Sequence, residues 1–161
     1  MSKAIWAGIV ILVALIAGRI AIGVSHPPSD RQQIEDALQK SIQASKEGRP
    51  GGVMDLLGDN LSYNGQNASQ DLGQVARFIK NQKPDITVEK PDPIITGDEA
   101  QVVSPVDITV SFLGQQKSFN LKDVILVFRR EPSRQFLVFP STRWQLIEVR
   151  AQAPASLDLA G

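Results

Sequence analysis

The stretch Ala100-Gln101-Val102-Val103-Ser104-Pro105-Val106-Asp107-Ile108-Thr109-Val110-Ser111-Phe112 decides the fold. Val102, Val106, Ile108, Val110 and Phe112 fall on one side of an extended chain, and Gln101, Asp107, Thr109 and Ser111 fall on the other. A period of two with one apolar side is the pattern of a half-buried strand. Leu113-Gly114-Gln115-Gln116 then supplies a turn. Lys117 to Arg130 runs back as a second long strand, apolar on both sides in its latter half. Two such strands joined by a short turn predict an antiparallel hairpin at the centre of a sheet.

Downstream, Glu131-Pro132-Ser133-Arg134 reads as a loop and Phe136-Leu137-Val138-Phe139 as a compact apolar insert. Trp144 to Arg150 is a closing strand, and Ala151 to Gly161 a tail of mostly small residues. Upstream, Ile86 to Glu89 is a short strand, Pro91-Asp92-Pro93 interrupts the chain, and Gly97-Asp98 is a turn. Before these the period changes. Ser29 and Asp30 each precede a glutamine by three residues, the spacing of a capping box, and Ile34, Leu38 and Ile42 then recur on one helical face. Gly48-Arg49-Pro50-Gly51-Gly52 stops that helix. A short helix is expected from Val53 to Leu57, and a third from Ser69 to Asn81 that buries Leu72, Val75, Ala76 and Ile79 and is closed by Pro84. Helices followed by strands give an α+β fold, with helices packed on one face of a curved antiparallel sheet.

The first 25 residues are of another kind. Met1-Ser2-Lys3 leads into an apolar run from Ala4 to Gly18, which Arg19 interrupts and Ile20 to Val24 resumes. About 20 apolar residues span a bilayer, so residues 4–24 suffice if Arg19 reaches the headgroups. Trp6 suits the interfacial aromatic belt. The same features describe a signal peptide cut near Gly23, after the small-residue pattern Ala21-Ile22-Gly23, or a buried helix. The expected organisation is an anchor or signal over residues 1–25, a linker over 26–29, a soluble domain over 30–150 and a flexible tail over 151–161. A single-pass membrane protein with its domain outside the cytoplasm is the expected location, or a secreted one after cleavage.

Composition excludes several functions. The 161 residues hold 17 basic and 17 acidic side chains; setting aside Lys3 and Arg19 leaves 15 basic ones. Such a balance gives no reason to expect nucleic acid. With no cysteine and a single histidine, His26 in the linker, neither thiolate chemistry nor a metal site is expected, and no motif calls for a cofactor.

The element order resembles the nuclear transport factor 2-like (SnoaL-like, cystatin-like) superfamily. Its landmarks here are the opening helix, Leu56-Leu57-Gly58-Asp59-Asn60-Leu61-Ser62-Tyr63, the helix carrying Val75-Ala76-Arg77-Phe78-Ile79, two long strands, and Arg143-Trp144-Gln145-Leu146-Ile147-Glu148-Val149. The resemblance spans residues 30 to 150 and implies a cone whose sheet wraps a cavity. It implies either a domain that binds ligands or dimerises through its sheet, or an isomerase, cyclase or dehydratase. The enzymes place an Asp–His or Asp–Tyr arrangement in the cavity, and His26 cannot serve the first. An anchored domain of this kind also looks, in layout, like the bitopic assembly subunits of type IV secretion systems.

Three residues are candidates for a ligand site. Asp123 shares strand parity with Phe119, Leu121, Ile125 and Val127, so an apolar stripe carries one carboxylate. Burial there would fit it as a general base; at a bulge, or paired with Arg129 or Arg143, it would be structural. Tyr63, the only tyrosine, lies where the resemblance puts a cavity-lining residue, and Trp144 is core or cavity wall. Arg129, Arg130, Arg134 and Arg143 surround the insert, so Phe136, Phe139, Arg130 and Arg134 form a candidate interface for a membrane or a partner. The leading reading is a membrane-tethered, non-enzymatic module that binds a protein partner, a second copy or a small apolar ligand. The alternative is an enzyme using Asp123 and Tyr63.

Overall fold

The computed structural model describes residues 28–112, 114–133 and 141–152. The first helix, α1 (Asp30–Lys46), opens with the expected capping box: Ser29 Oγ accepts from the Gln32 amide at 3.3 Å, and the Ser29 amide donates to Gln32 Oε1 at 3.2 Å. It closes in a Schellman arrangement, in which the Arg49 amide donates to Ala44 O and the Gly48 amide to Ser45 O. Gly48 adopts φ +69°, and a Cβ there would come within 2.9 Å of the Lys83 side chain. The buried stripe is Ile34, Leu38, Ser41, Ala44 and Ser45. Ile42, expected on that stripe, is only half-buried, because the chain advances from Leu38 by three and then four residues toward the sheet.

The short helix forms earlier than expected, as α2 (Pro50–Met54), with proline at its first turn, where a missing amide costs nothing. The third helix, α3 (Leu72–Gln82), is entered through a 3₁₀ turn at Ser69–Asp71 and buries Ile79.

The described residues form seven strands, two before α3, β1 (Leu57–Tyr63) and β2 (Gln66–Asn67), and five after it, β3 (Asp85–Val88), β4 (Ile94–Thr96), β5 (Glu99–Phe112), β6 (Gln115–Ser133) and β7 (Ser141–Arg150). Their order in the sheet is β2-β1-β7-β6-β5-β3, with β4 also on β5. The β5–β6 hairpin is the expected spine, registered from Glu99 against Arg129 to Phe112 against Gln115. All pairings are antiparallel except β1 with β7. The segment expected to be a loop at Glu131 continues β6 instead, because Pro132 and Ser133 pair with Thr142 and Ser141 at the sheet's end.

The register shifts in three places, between Leu57 and Ser62 where β1 meets β7 and at two points along β6 and β7. Between the pairs Ser104–Val124 and Val106–Leu121, Lys122 and Asp123 together oppose Pro105. On β7, Ile147 is the extra residue between the pairs Leu146–Phe128 and Glu148–Val127. An inserted residue raises the local twist and curls the strand. The inner face so formed meets α1: Phe128, Ile34 and Val102 have no measurable exposure, and Leu38, Val124, Leu126, Trp144 and Leu146 belong to the same cluster.

Candidate functional site

The bulge decides the fate of Asp123. Its φ of +55° lies in the left-handed region, and the extra residue reverses strand parity, so that Leu121 and then Val124 face the core. Asp123 is therefore exposed, not seated in the apolar stripe that unbroken alternation implied. Tyr63 ends β1, 45% exposed. It belongs to β1 and Asp123 to β6, with β7 between those strands. The two are not gathered around one enclosed space.

Trp144 is 4% exposed and part of the core. Its indole Nε1 donates to Asp30 Oδ1 at 3.2 Å, and Arg130 donates to Asp30 Oδ2 at 2.6 Å with its guanidinium carbon 5.0 Å from the Trp144 ring centroid. Arg130 Nε is buried without a hydrogen bond, 3.7 Å from Asp98 Oδ1. Arg130 thus ties β6 to the first turn of α1, with its side chain 30% exposed. Arg134, Phe136 and Phe139 lie outside the described residues, as does the apolar segment 4–24. No described helix is long and apolar enough to cross a membrane.

Two recesses occur. A groove of about 870 Å³ runs along α1 beside α2 and the start of β7, with Ala37, Ala44, Gly52 and Leu56 among its apolar lining and Lys40 and Arg143 among its charges. A pocket of about 340 Å³ opens on the opposite side of the sheet, lined by Gly58, Asp59, Arg129, Glu131, Gln145 and Glu148 among others.

That opposite side, the outward face of the sheet, was not singled out from the sequence. Cross-strand partners share a face, which places three rows there: Glu99, Arg129 and Gln145; Gln101, Val127 and Glu148; Val103, Ile125 and Arg150. Val103 is 49% exposed, while Ala100, Val102 and Ser104 of the same strand are buried inward. Arg129 donates to Glu99 at 2.7 Å and Arg150 to Glu148 at 2.6 Å. The hydrogen bond from Arg150 holds the Glu148 carboxyl below its ordinary value, and the bond to Glu99 raises Arg129. Gln101 belongs to the polar side of β5 that alternation gives, but the continuation of that side across β6 and β7 depends on register.

Neither a family model nor a curated protein matches this sequence. Solved structures do match. A nuclear transport factor 2-like superfamily protein from Salmonella enterica superposes with a TM-score of 0.60 at 14% identity, over 81% of this chain and 95% of that one. The fold is nuclear transport factor 2-like. A nuclear transport factor 2-like protein with a cystatin-like fold from Novosphingobium aromaticivorans gives 0.56 at 14% identity, over 91% of this chain and 90% of that one. The CaMKII hub of S. rosetta gives 0.57 at 12% identity, over 79% and 98%. The expected α+β arrangement, helices on a curved, mainly antiparallel sheet that does not close, therefore holds for the described domain.

Proposed function

We propose that this chain is a non-enzymatic binding module, held at a membrane by residues 4–24, whose outward sheet face seats a protein partner. The observation that carries this reading is the half-exposed Val103 beside the half-buried Ile125, with Arg150 in the same row and the charged pairs Glu148–Arg150 and Glu99–Arg129 along the face. An apolar centre inside a polar rim is the anatomy of a protein interface. Because Glu99 and Arg129 lie side by side, as do Glu148 and Arg150, a two-fold axis can set each sign against its opposite. A second copy of the chain is the partner this chemistry fits. The CaMKII hub among the matching structures is in keeping with that choice. Tight packing around Phe128 and Ile34, with Asp123 and Tyr63 exposed, favours surface binding over proton transfer in a cavity.

Sedimentation of the full chain in detergent is the test. Association is expected, with loss of the dimer in Val103→Glu at unchanged circular dichroism. A wild-type chain that stays monomeric into the high micromolar range, or a Val103→Glu variant that associates equally well, removes the reading. The tether is tested by mass: a mature protein lacking residues 1–23 would be secreted, not anchored.

A further inference from the structure

β1 and β7 pair at Leu57 with Leu146 and again at Ser62 with Glu148, so four residues of β1, Gly58 to Leu61, stand against Ile147 alone. The strands part over that interval, and the pocket of about 340 Å³ on the outward side opens there. Its size lies within the range of small-molecule sites, roughly 300–1,000 Å³. Among its lining side chains are three carboxylates, Asp59, Glu131 and Glu148, against one cation, Arg129. Arg129 is engaged by Glu99, which does not line the pocket. In a chain whose charges balance, this excess of acid is local. Neither Asp59 nor Glu131 forms an ion pair among the described residues. Gln145 stands in the same wall, 7% exposed. Its Nε2 donates to Leu57 O at 3.4 Å, and its Oε1 accepts no hydrogen bond among the described residues. A buried acceptor left in that state calls for a donor.

We propose that this pocket binds a guanidinium group. Among the described residues no three acidic side chains come close enough together to hold a metal ion, so the cation that suits the pocket is one that spans them. A guanidinium presents five N–H donors in one plane and meets a carboxylate two bonds at a time, whereas an ammonium is a compact point charge with three donors. Asp59 and Glu131 supply the opposing charge, and Gln145 Oε1 supplies a neutral acceptor. Glu148 already accepts from the guanidinium of Arg150 through Oε2, leaving Oε1 to accept from another. The group belongs either to a free small molecule or to an arginine side chain of another polypeptide. Neither Val103 nor Ile125 lines the pocket, so the site does not rest on the second-copy reading of the outward face.

The test is a titration of the full chain in detergent with L-arginine amide, followed by backbone amide NMR. Saturable shifts are expected at Gly58, Asn60 and Gln145. L-citrulline amide, a neutral analogue of nearly the same shape, should shift none of them, and L-lysine amide should bind more weakly than L-arginine amide. Asp59→Asn and Glu131→Gln should each weaken binding about tenfold, the loss of one charge-assisted hydrogen bond. A blocked Gly-Arg-Gly peptide distinguishes the sources: tighter binding than L-arginine amide assigns the guanidinium to a polypeptide, and weaker binding assigns it to a free small molecule. Equal shifts with citrulline amide, shifts that do not saturate, or full affinity in both carboxylate variants would overturn the proposal.

Discussion

Trp144 in the closing strand and Asp30 in the first turn of α1 are joined by an indole hydrogen bond of 3.2 Å across 114 residues of sequence. Arg130 completes the arrangement, donating to the other Asp30 oxygen while stacking on the indole. Asp30 also places a negative charge at the helix N-terminus, where the backbone amides favour it. One carboxylate therefore caps the helix electrostatically and fixes where its axis starts on the sheet.

Removing Asp30 leaves a buried indole N–H and a guanidinium without their acceptor. Asp30→Ala is expected to lower stability by about 1–3 kcal/mol, discounted from a fully buried pair because both charges are about a third exposed. Arg130→Met keeps the hydrophobic cover on Trp144 and should cost less than Asp30→Ala. Urea unfolding of both single variants and the double variant checks this. A coupling energy near zero would mean that the ion pair contributes nothing.

Asp123 carries a left-handed φ that a side chain with a Cβ tolerates poorly. Asp123→Gly should raise the unfolding midpoint or leave it unchanged, within about 1 kcal/mol, when read on dilute monomer. Asp123→Val should lower stability by about 1–2 kcal/mol, since a β-branched residue is strained there. A valine variant as stable as wild type would show that the bulge relaxes into a regular ladder.

The same bulge marks the limit of what the sequence discloses. Alternation in β5 is unbroken, so its inward residues Val102, Val106 and Ile108 are read correctly from residue types alone. In β6 the alternation changes phase at Lys122–Asp123, and nothing in Asn120-Leu121-Lys122-Asp123-Val124 announces a left-handed residue without glycine. β1 is not announced locally, because Asp59 and Asn60 are turn-forming residue types; its conformation comes from pairing with β7, nearly 90 residues away. The Asp30–Arg130 contact is hidden for the same reason. Helix caps are local and legible, while partners across the sheet depend on register.

Glu148 offers a pH-dependent reading of the outward face. Its carboxyl is held below the ordinary value of 4.5 by the hydrogen bond from Arg150, which outweighs the opposing effect of burial; that residue's charge adds a smaller lowering. A carboxyl depressed in the folded state contributes stability that is present above the unfolded value and lost as pH falls through the folded one. Glu148→Gln should therefore lower the unfolding midpoint slightly at pH 7, with the gap to wild type closing once the pH drops below 4.5 and Glu148 protonates. Salt should narrow the gap at pH 7, because the Arg150 side chain is about half exposed. If Glu148→Gln and wild type differ by the same amount at pH 7 and pH 2.5, the ion pair is not the cause. Side-chain packing against Val127, its partner in the β6–β7 register, would then be the better account.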